Sequence, residues 1–208
     1  MTFRFGLYLA IILIGVIIGT IRFKNLIVPI QYLIIFLAAT FLSESMSRYL
    51  AIKIHNSSPS YHFYVMFLMA IFSMIYFHLI IQKSIRIFIV VCCIIFLVFS
   101  FFNSLFIQTL LAFPSFSIVT ADIIILIFCL LFYKHIIDKK MIFDRILISL
   151  NSIVLIYFTI QLFNWGFYDY LVRKNLNSKI LSDIGYVTNL IFYLSVAVII
   201  WKIPQKRT

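Results

Sequence analysis

The sequence predicts an all-α membrane protein, a bundle of seven transmembrane helices, on three observations. Of its 208 residues, 64% are hydrophobic and only 11% charged, and mean hydropathy is +1.15, outside the range of a water-soluble domain. The apolar residues fall into seven runs, each long enough to cross a bilayer and joined by short connections. Hydrocarbon offers the backbone no hydrogen-bond partners, so runs of about 20 apolar residues form helices. No Gly/Ser linker or low-complexity tract interrupts the pattern, and residues 1–208 read as one transmembrane domain.

The first span runs from about Phe5 to Ile21 and is closed by Arg22 and Lys24. Arg4 and the apolar run resemble a secretory signal. No small-residue cleavage pattern follows, however, so the segment reads as a retained helix. The second span covers about Ile27–Leu50, and the third Tyr61–Ile81, closed by Gln82, Lys83 and Arg86. The fourth covers about Ile87–Phe106. The fifth starts near Pro114, which suits a first helical turn, and ends at Lys134 and His135. The sixth lies between Asp144 and Tyr168, and the seventh between Ile180 and Trp201. The longest connection, Asp169–Lys179, holds eleven residues.

The Lys and Arg residues set the expected orientation. The side holding the N-terminus carries six: Arg4, Arg48, Lys53, Arg173, Lys174 and Lys179. The opposite side carries eleven, from Arg22 and Lys24 through Lys83, Arg86 and Lys134 to Arg207. The excess predicts an outer N-terminus and a cytoplasmic C-terminus. The net charge of +11 is then a topology signal with attraction to anionic lipids added. No exposed basic domain exists to bind nucleic acid.

Cys92, Cys93 and Cys129 lie inside apolar runs without CxxC spacing, where cysteine acts as a small hydrophobe. No metal or cofactor is expected. His78 and His135, at the cytoplasmic ends of their helices, are expected to snorkel. Trp165, Tyr168, Tyr170, Tyr186 and Trp201 fit interfacial aromatic belts.

Polar groups are costly in a membrane, so those that break the apolar pattern carry the functional information. In the second helix, steps of four from Thr40 to Glu44, and of three and four on to Ser47 and Arg48, give one polar face. Glu44 and Arg48 have the spacing and order of a helix ion pair. The third helix opens with Tyr61, His62 and Tyr64 after the loop from His55 to Pro59. Asp122 lies in the fifth helix, Gln161, Asn164 and Trp165 in the sixth, and Asp183, Tyr186, Thr188 and Asn189 in the seventh. All of them fall in the outer half of the assigned topology, which predicts a polar cavity open to the outside. The inner half reads as apolar residues with Lys, Arg and His at the ends. The candidate ligand-binding residues are Glu44, Arg48, His62, Tyr64, Asp122, Asn164 and Asn189.

Each has a plainer reading. Glu44 and Arg48 form a structural pair at the interface, and Asp122 caps a helix that starts later than Pro114, with Thr120-Ala121-Asp122 as its start signal. Gln161, Asn164 and Asn189 serve as interhelical hydrogen-bond glue, and His62 sits at the interface. Known seven-helix chemistries fit poorly. A retinal protein needs a lysine in the middle of the seventh helix, where Lys179 and Lys202 lie only at the ends. Zinc-dependent membrane hydrolases need converging histidines, and the seventh helix has none. Small three-plus-one-plus-three sugar transporters match in length and topology, but they rely on intrahelical prolines, and here only Pro29 is available.

Several passages resemble a family of uncharacterised bacterial integral membrane proteins with six or seven helices. They are Ser43-Glu44-Ser45 through Tyr49, His55-Asn56, Tyr61-His62-Phe63-Tyr64, Asn103-Ser104-Leu105-Phe106 to Phe113-Pro114, Asp122 and the Asn189 region. The acidic residue that follows the Tyr-His-x-Tyr motif in that family is Leu68 here. The family is similar in layout to the seven-helix sensory regions that precede some histidine kinases, which implies signal reception read out by a separate protein. The expectation is a non-enzymatic sensory or ligand-binding subunit for a small polar or amphiphilic molecule. A small-solute or proton-coupled transporter is the first alternative, and a structural or assembly subunit the second.

Overall fold

A computed structural model describes residues 3–139, 145–174 and 177–203. Among these it contains seven long helices and no strand. They are α1 Phe3–Arg22, α2 Val28–Lys53, α3 Ser58–Leu79, α4 Lys83–Phe102, α5 Ser115–Lys139, α6 Arg145–Arg173 and α7 Lys179–Lys202. Every one is long and apolar enough to cross a membrane. The outward faces agree with that: α4 buries only Ile89, Phe96 and Ser100 and exposes Ile87, Phe88, Val91, Ile94, Ile95 and Val98. So broad an apolar surface is tolerated in hydrocarbon and not in water.

Helix ends depart from the apolar runs where polar groups continue the helix. α2 runs on through Ala51 and Ile52 to Lys53, and α3 starts at Ser58 with Pro59 in its first turn. The Asn56 carboxamide accepts the Ser58 N–H at 2.8 Å and fixes that start. α3 stops at Leu79, two residues before the expected end. Beyond it Ile80 is buried and its carbonyl accepts from Arg86 Nε at 2.6 Å. α4 continues into a π-helical turn at Asn103–Ile107, closed by the Gln108 N–H on the Asn103 carbonyl at 2.7 Å.

Six helices close a ring in the order α1–α2–α3–α5–α6–α7 and back to α1, and α4 packs outside it against α3 and α5. The closing seam between α1 and α7 is tied at both ends. Arg4 pairs with Asp183 at 2.7 Å, and Arg22 donates to the Ile200, Trp201 and Ile203 carbonyls at the end of α7, where a cation suits both the free carbonyls and the helix dipole. Between these ends Gly15 and Gly19 let α1 approach closely. A Cβ at Gly15 would lie 3.0 Å from Leu37 and 3.4 Å from Ala197, and one at Gly19 would lie 2.6 Å from Ile34. Small residues four apart are a common device for membrane helix packing.

The half of the bundle away from the N-terminus is less apolar than its sequence suggests. Tyr76 donates to Asn151 Oδ1 at 2.7 Å, and Asn151 Nδ2 donates to the Cys129 carbonyl at 3.2 Å, in a buried cluster joining α3, α5 and α6. His135 does not snorkel. It is 1% exposed and accepts the Ile81 N–H at 3.4 Å, because the extended Ile80–Ile81 link crosses it. His78 is exposed as expected.

Candidate functional site

Tyr8, Glu44, Tyr61, Tyr64, Asp122, Tyr157, Gln161, Trp165, Asn189 and Tyr193 line one cavity of about 70 Å³, together with four apolar residues. Each ring helix contributes to it and α4 does not. The contributing residues repeat at helical spacing: Tyr61 with Val65, Tyr64 with Leu68, Ile118 with Asp122, Tyr157 with Gln161 and Trp165, and Asn189 with Tyr193. Each set therefore presents one face to the ring centre.

An aromatic layer lies against the cavity. Phe158 lines it and packs on Phe72 at 5.0 Å, Phe72 on Phe36 at 5.2 Å, and Phe36 on Tyr193 at 6.1 Å. Toward the loop before α5, Tyr61 and Trp165 converge on Phe113, at 5.3 and 5.0 Å. Trp165 is thus a wall residue as well as an aromatic near the helix end.

The polar groups inside are ordered by their own bonds. Tyr8 donates to Glu44 Oε1 at 3.1 Å and joins α1 to α2. The Thr40 hydroxyl donates to the Phe36 carbonyl at 2.9 Å, so the Tyr64 hydroxyl, 3.1 Å away, is the donor to Thr40. Asn189 Oδ1 accepts from both Tyr157, at 2.9 Å, and Gln161 Nε2, at 2.5 Å, which locks α6 to α7. Two acceptors remain. Asp122 Oδ2 and Gln161 Oε1 are buried, in side chains only 3% and 4% exposed, and neither has a hydrogen-bond partner among the described residues. An unpaired buried polar atom costs about 1–3 kcal/mol, so both acceptors favour a donor brought in from outside the chain.

Of the seven candidate residues, the fold brings Glu44, Tyr64, Asp122 and Asn189 to this cavity. It places the other three elsewhere. Arg48 does not pair with Glu44. It is exposed with its guanidinium 5.8 Å from the centroid of the Phe5 ring, because Glu44 turns inward to Tyr8. His62 is 1% exposed, with Nδ1 2.7 Å from Ser104 Oγ and Nε2 2.9 Å from the Ala112 carbonyl. A carbonyl only accepts, so Nε2 carries a proton, and both ring nitrogens are engaged in joining α3 to the α4–α5 connection. Asn164 is buried where α6 meets α7: a Cβ on Gly185 would lie 2.7 Å from its Nδ2. Asp122 does not cap a helix, since α5 begins seven residues earlier at Ser115.

Tyr8, Tyr157 and Tyr193 were not legible as site residues by type, since tyrosine in a membrane helix reads as an interfacial group. Their signal is spacing: Tyr157 stands four before Gln161, and Tyr193 four after Asn189. A second polar network supports the site from outside. Asn103 Nδ2 donates to Gln108 Oε1 and Ser117 Oγ, both at 3.0 Å, and Gln108 Oε1 accepts the Phe116 N–H at the start of α5. It fixes the helix that carries Asp122.

Among the described residues no three His, Cys, Asp or Glu side chains converge as a metal site would require. No protein family, curated protein or solved structure matches the chain.

Proposed function

We propose that this chain is a non-enzymatic ligand-binding subunit of a bacterial cytoplasmic membrane, with its N-terminus outside. In this reading a small polar or amphiphilic molecule enters the six-helix cavity and a separate signalling protein reads the helix positions that result. The observation that carries it is the shared lining: one small polar cavity takes side chains from all six ring helices. An occupant that satisfies Asp122 and Gln161 in one arrangement and not in another shifts the bundle between them, which is the requirement for a ligand-driven change.

The test is native mass spectrometry of the gently solubilised protein beside Asp122→Asn and Glu44→Gln. The expected result is a small molecule carried by the wild type and lost from either variant. A bare protein that co-purifies with another chain, unaffected by both substitutions, would contradict the reading in favour of an assembly subunit.

The ring order favours a transporter as the second reading. Triads α1–α2–α3 and α5–α6–α7 make up the two halves of the ring with α4 outside, an arrangement compatible with halves that rock about a central site. Accumulation of the retained molecule in reconstituted vesicles would select transport, and binding without accumulation would select reception.

A further inference from the structure

We infer that the cavity takes a small organic cation, a protonated amine of about methylammonium size; this rests on the ligand-binding reading above. Three observations lead to it. First, the fully buried polar atoms of the site that lack a partner among the described residues are both acceptors, Asp122 Oδ2 and Gln161 Oε1. A ligand that satisfies them has to donate N–H or O–H hydrogens.

Second, the charge of the site is one-sided. Glu44 and Asp122 line it, and no Lys, Arg or His is among its lining residues. Two nearby cations are engaged elsewhere: Arg4 on Asp183 and Arg48 over Phe5. An anion would meet two carboxyl groups with no counter-charge, whereas a cation supplies the charge that the chain leaves out.

Third, the walls and the volume select among cations. Five tyrosines and Trp165 surround the site, and aromatic faces attract alkylammonium groups. The volume of about 70 Å³ is roughly half that of an apolar cavity of about 150 Å³ that holds benzene. It therefore suits an ion of two or three heavy atoms. An ammonium head carries up to three N–H donors on one positive centre, enough for Asp122, Gln161 and Glu44 together.

Calorimetry on the full-length protein in lipid nanodiscs at constant ionic strength tests this, with methylammonium, potassium, acetamide and acetate as separate titrants. The expected result is saturable binding of methylammonium alone. Asp122→Asn should weaken it at least tenfold and Glu44→Gln severalfold, with elution in size-exclusion chromatography unchanged for both. Equal binding of potassium, or methylammonium affinity indifferent to both substitutions, would overturn the assignment. Binding of acetamide or acetate that either substitution abolishes would overturn the cation class and leave the cavity as a binding site. Silence from all four titrants, with nothing retained in native mass spectra, would remove both.

Discussion

Gly19→Val lowers the unfolding midpoint of the detergent-solubilised protein by about 6–12 °C. A Cβ at Gly19 would stand 2.6 Å from Ile34 Cγ1 and 2.9 Å from its Cγ2. Those atoms lie close to the α2 backbone, so the clash moves helices rather than a flexible side-chain tip. Overpacking of this kind costs about 1–3 kcal/mol, and for a chain of this size each kcal/mol shifts the midpoint by about 2–4 °C; valine sits at the upper end of the range. The effect has a built-in control. A Cβ at Gly6, on the same helix, would meet nothing within 4 Å, so Gly6→Ala leaves the midpoint unchanged or raises it slightly through better helix propensity. Equal losses at both glycines would show that α1 does not pack through Gly19.

Asn189→Leu destabilises the bundle by about 2–4 kcal/mol, measured by unfolding in mixed micelles. Asn189 Oδ1 is the acceptor for both Tyr157 and Gln161, and a leucine strands both donors at about 1–3 kcal/mol each, part of which relaxation into the cavity recovers. The network also predicts strong coupling: Tyr157→Phe costs much less in the Asn189→Leu background than alone. Asn164→Leu is the contrast. Its Oδ1 accepts no hydrogen bond among the described residues, so removing the amide costs less than at Asn189. Additive effects of Tyr157→Phe and Asn189→Leu would contradict the shared acceptor.

Much of the architecture was legible because the bilayer imposes a simple rule, that an apolar run of sufficient length is a helix. Errors sat at the ends. Hydropathy stops at a charge, whereas α2 continues to Lys53 and α6 to Arg173, and α3 ends early because Ile80 is buried outside the helix. The ring order was not legible, since it rests on contacts between residues far apart in the chain, such as Gly15 and Gly19 of α1 with Leu37, Ala197 and Ile34 on other helices.

The candidate site was half legible for a related reason. A carboxylate such as Glu44 or Asp122 has so few tolerable places in a membrane that type alone points inward. Histidine, arginine and asparagine have more options. His62 spends both nitrogens on a loop and a π-helical turn, Arg48 is exposed beside Phe5, and Asn164 fills a helix contact. Tyrosine was misjudged in the opposite direction: its hydroxyl suits an interface, yet Tyr8, Tyr157 and Tyr193 are ring-centre residues whose partners come from distant positions in the chain.

Thiol labelling at two neighbouring positions tests the polar, acidic cavity most directly. In a background with Cys92, Cys93 and Cys129 replaced by alanine, Gln161→Cys places a sulfur in the cavity wall, and Ile160→Cys places one on the exposed outer side of the same helix. The predicted result is that a small cationic methanethiosulfonate reacts at 161 much faster than its anionic counterpart, while 160 reacts with neither. Equal rates for the two reagents at 161, or a faster anionic reagent there, would contradict an acidic cavity at the centre of the ring.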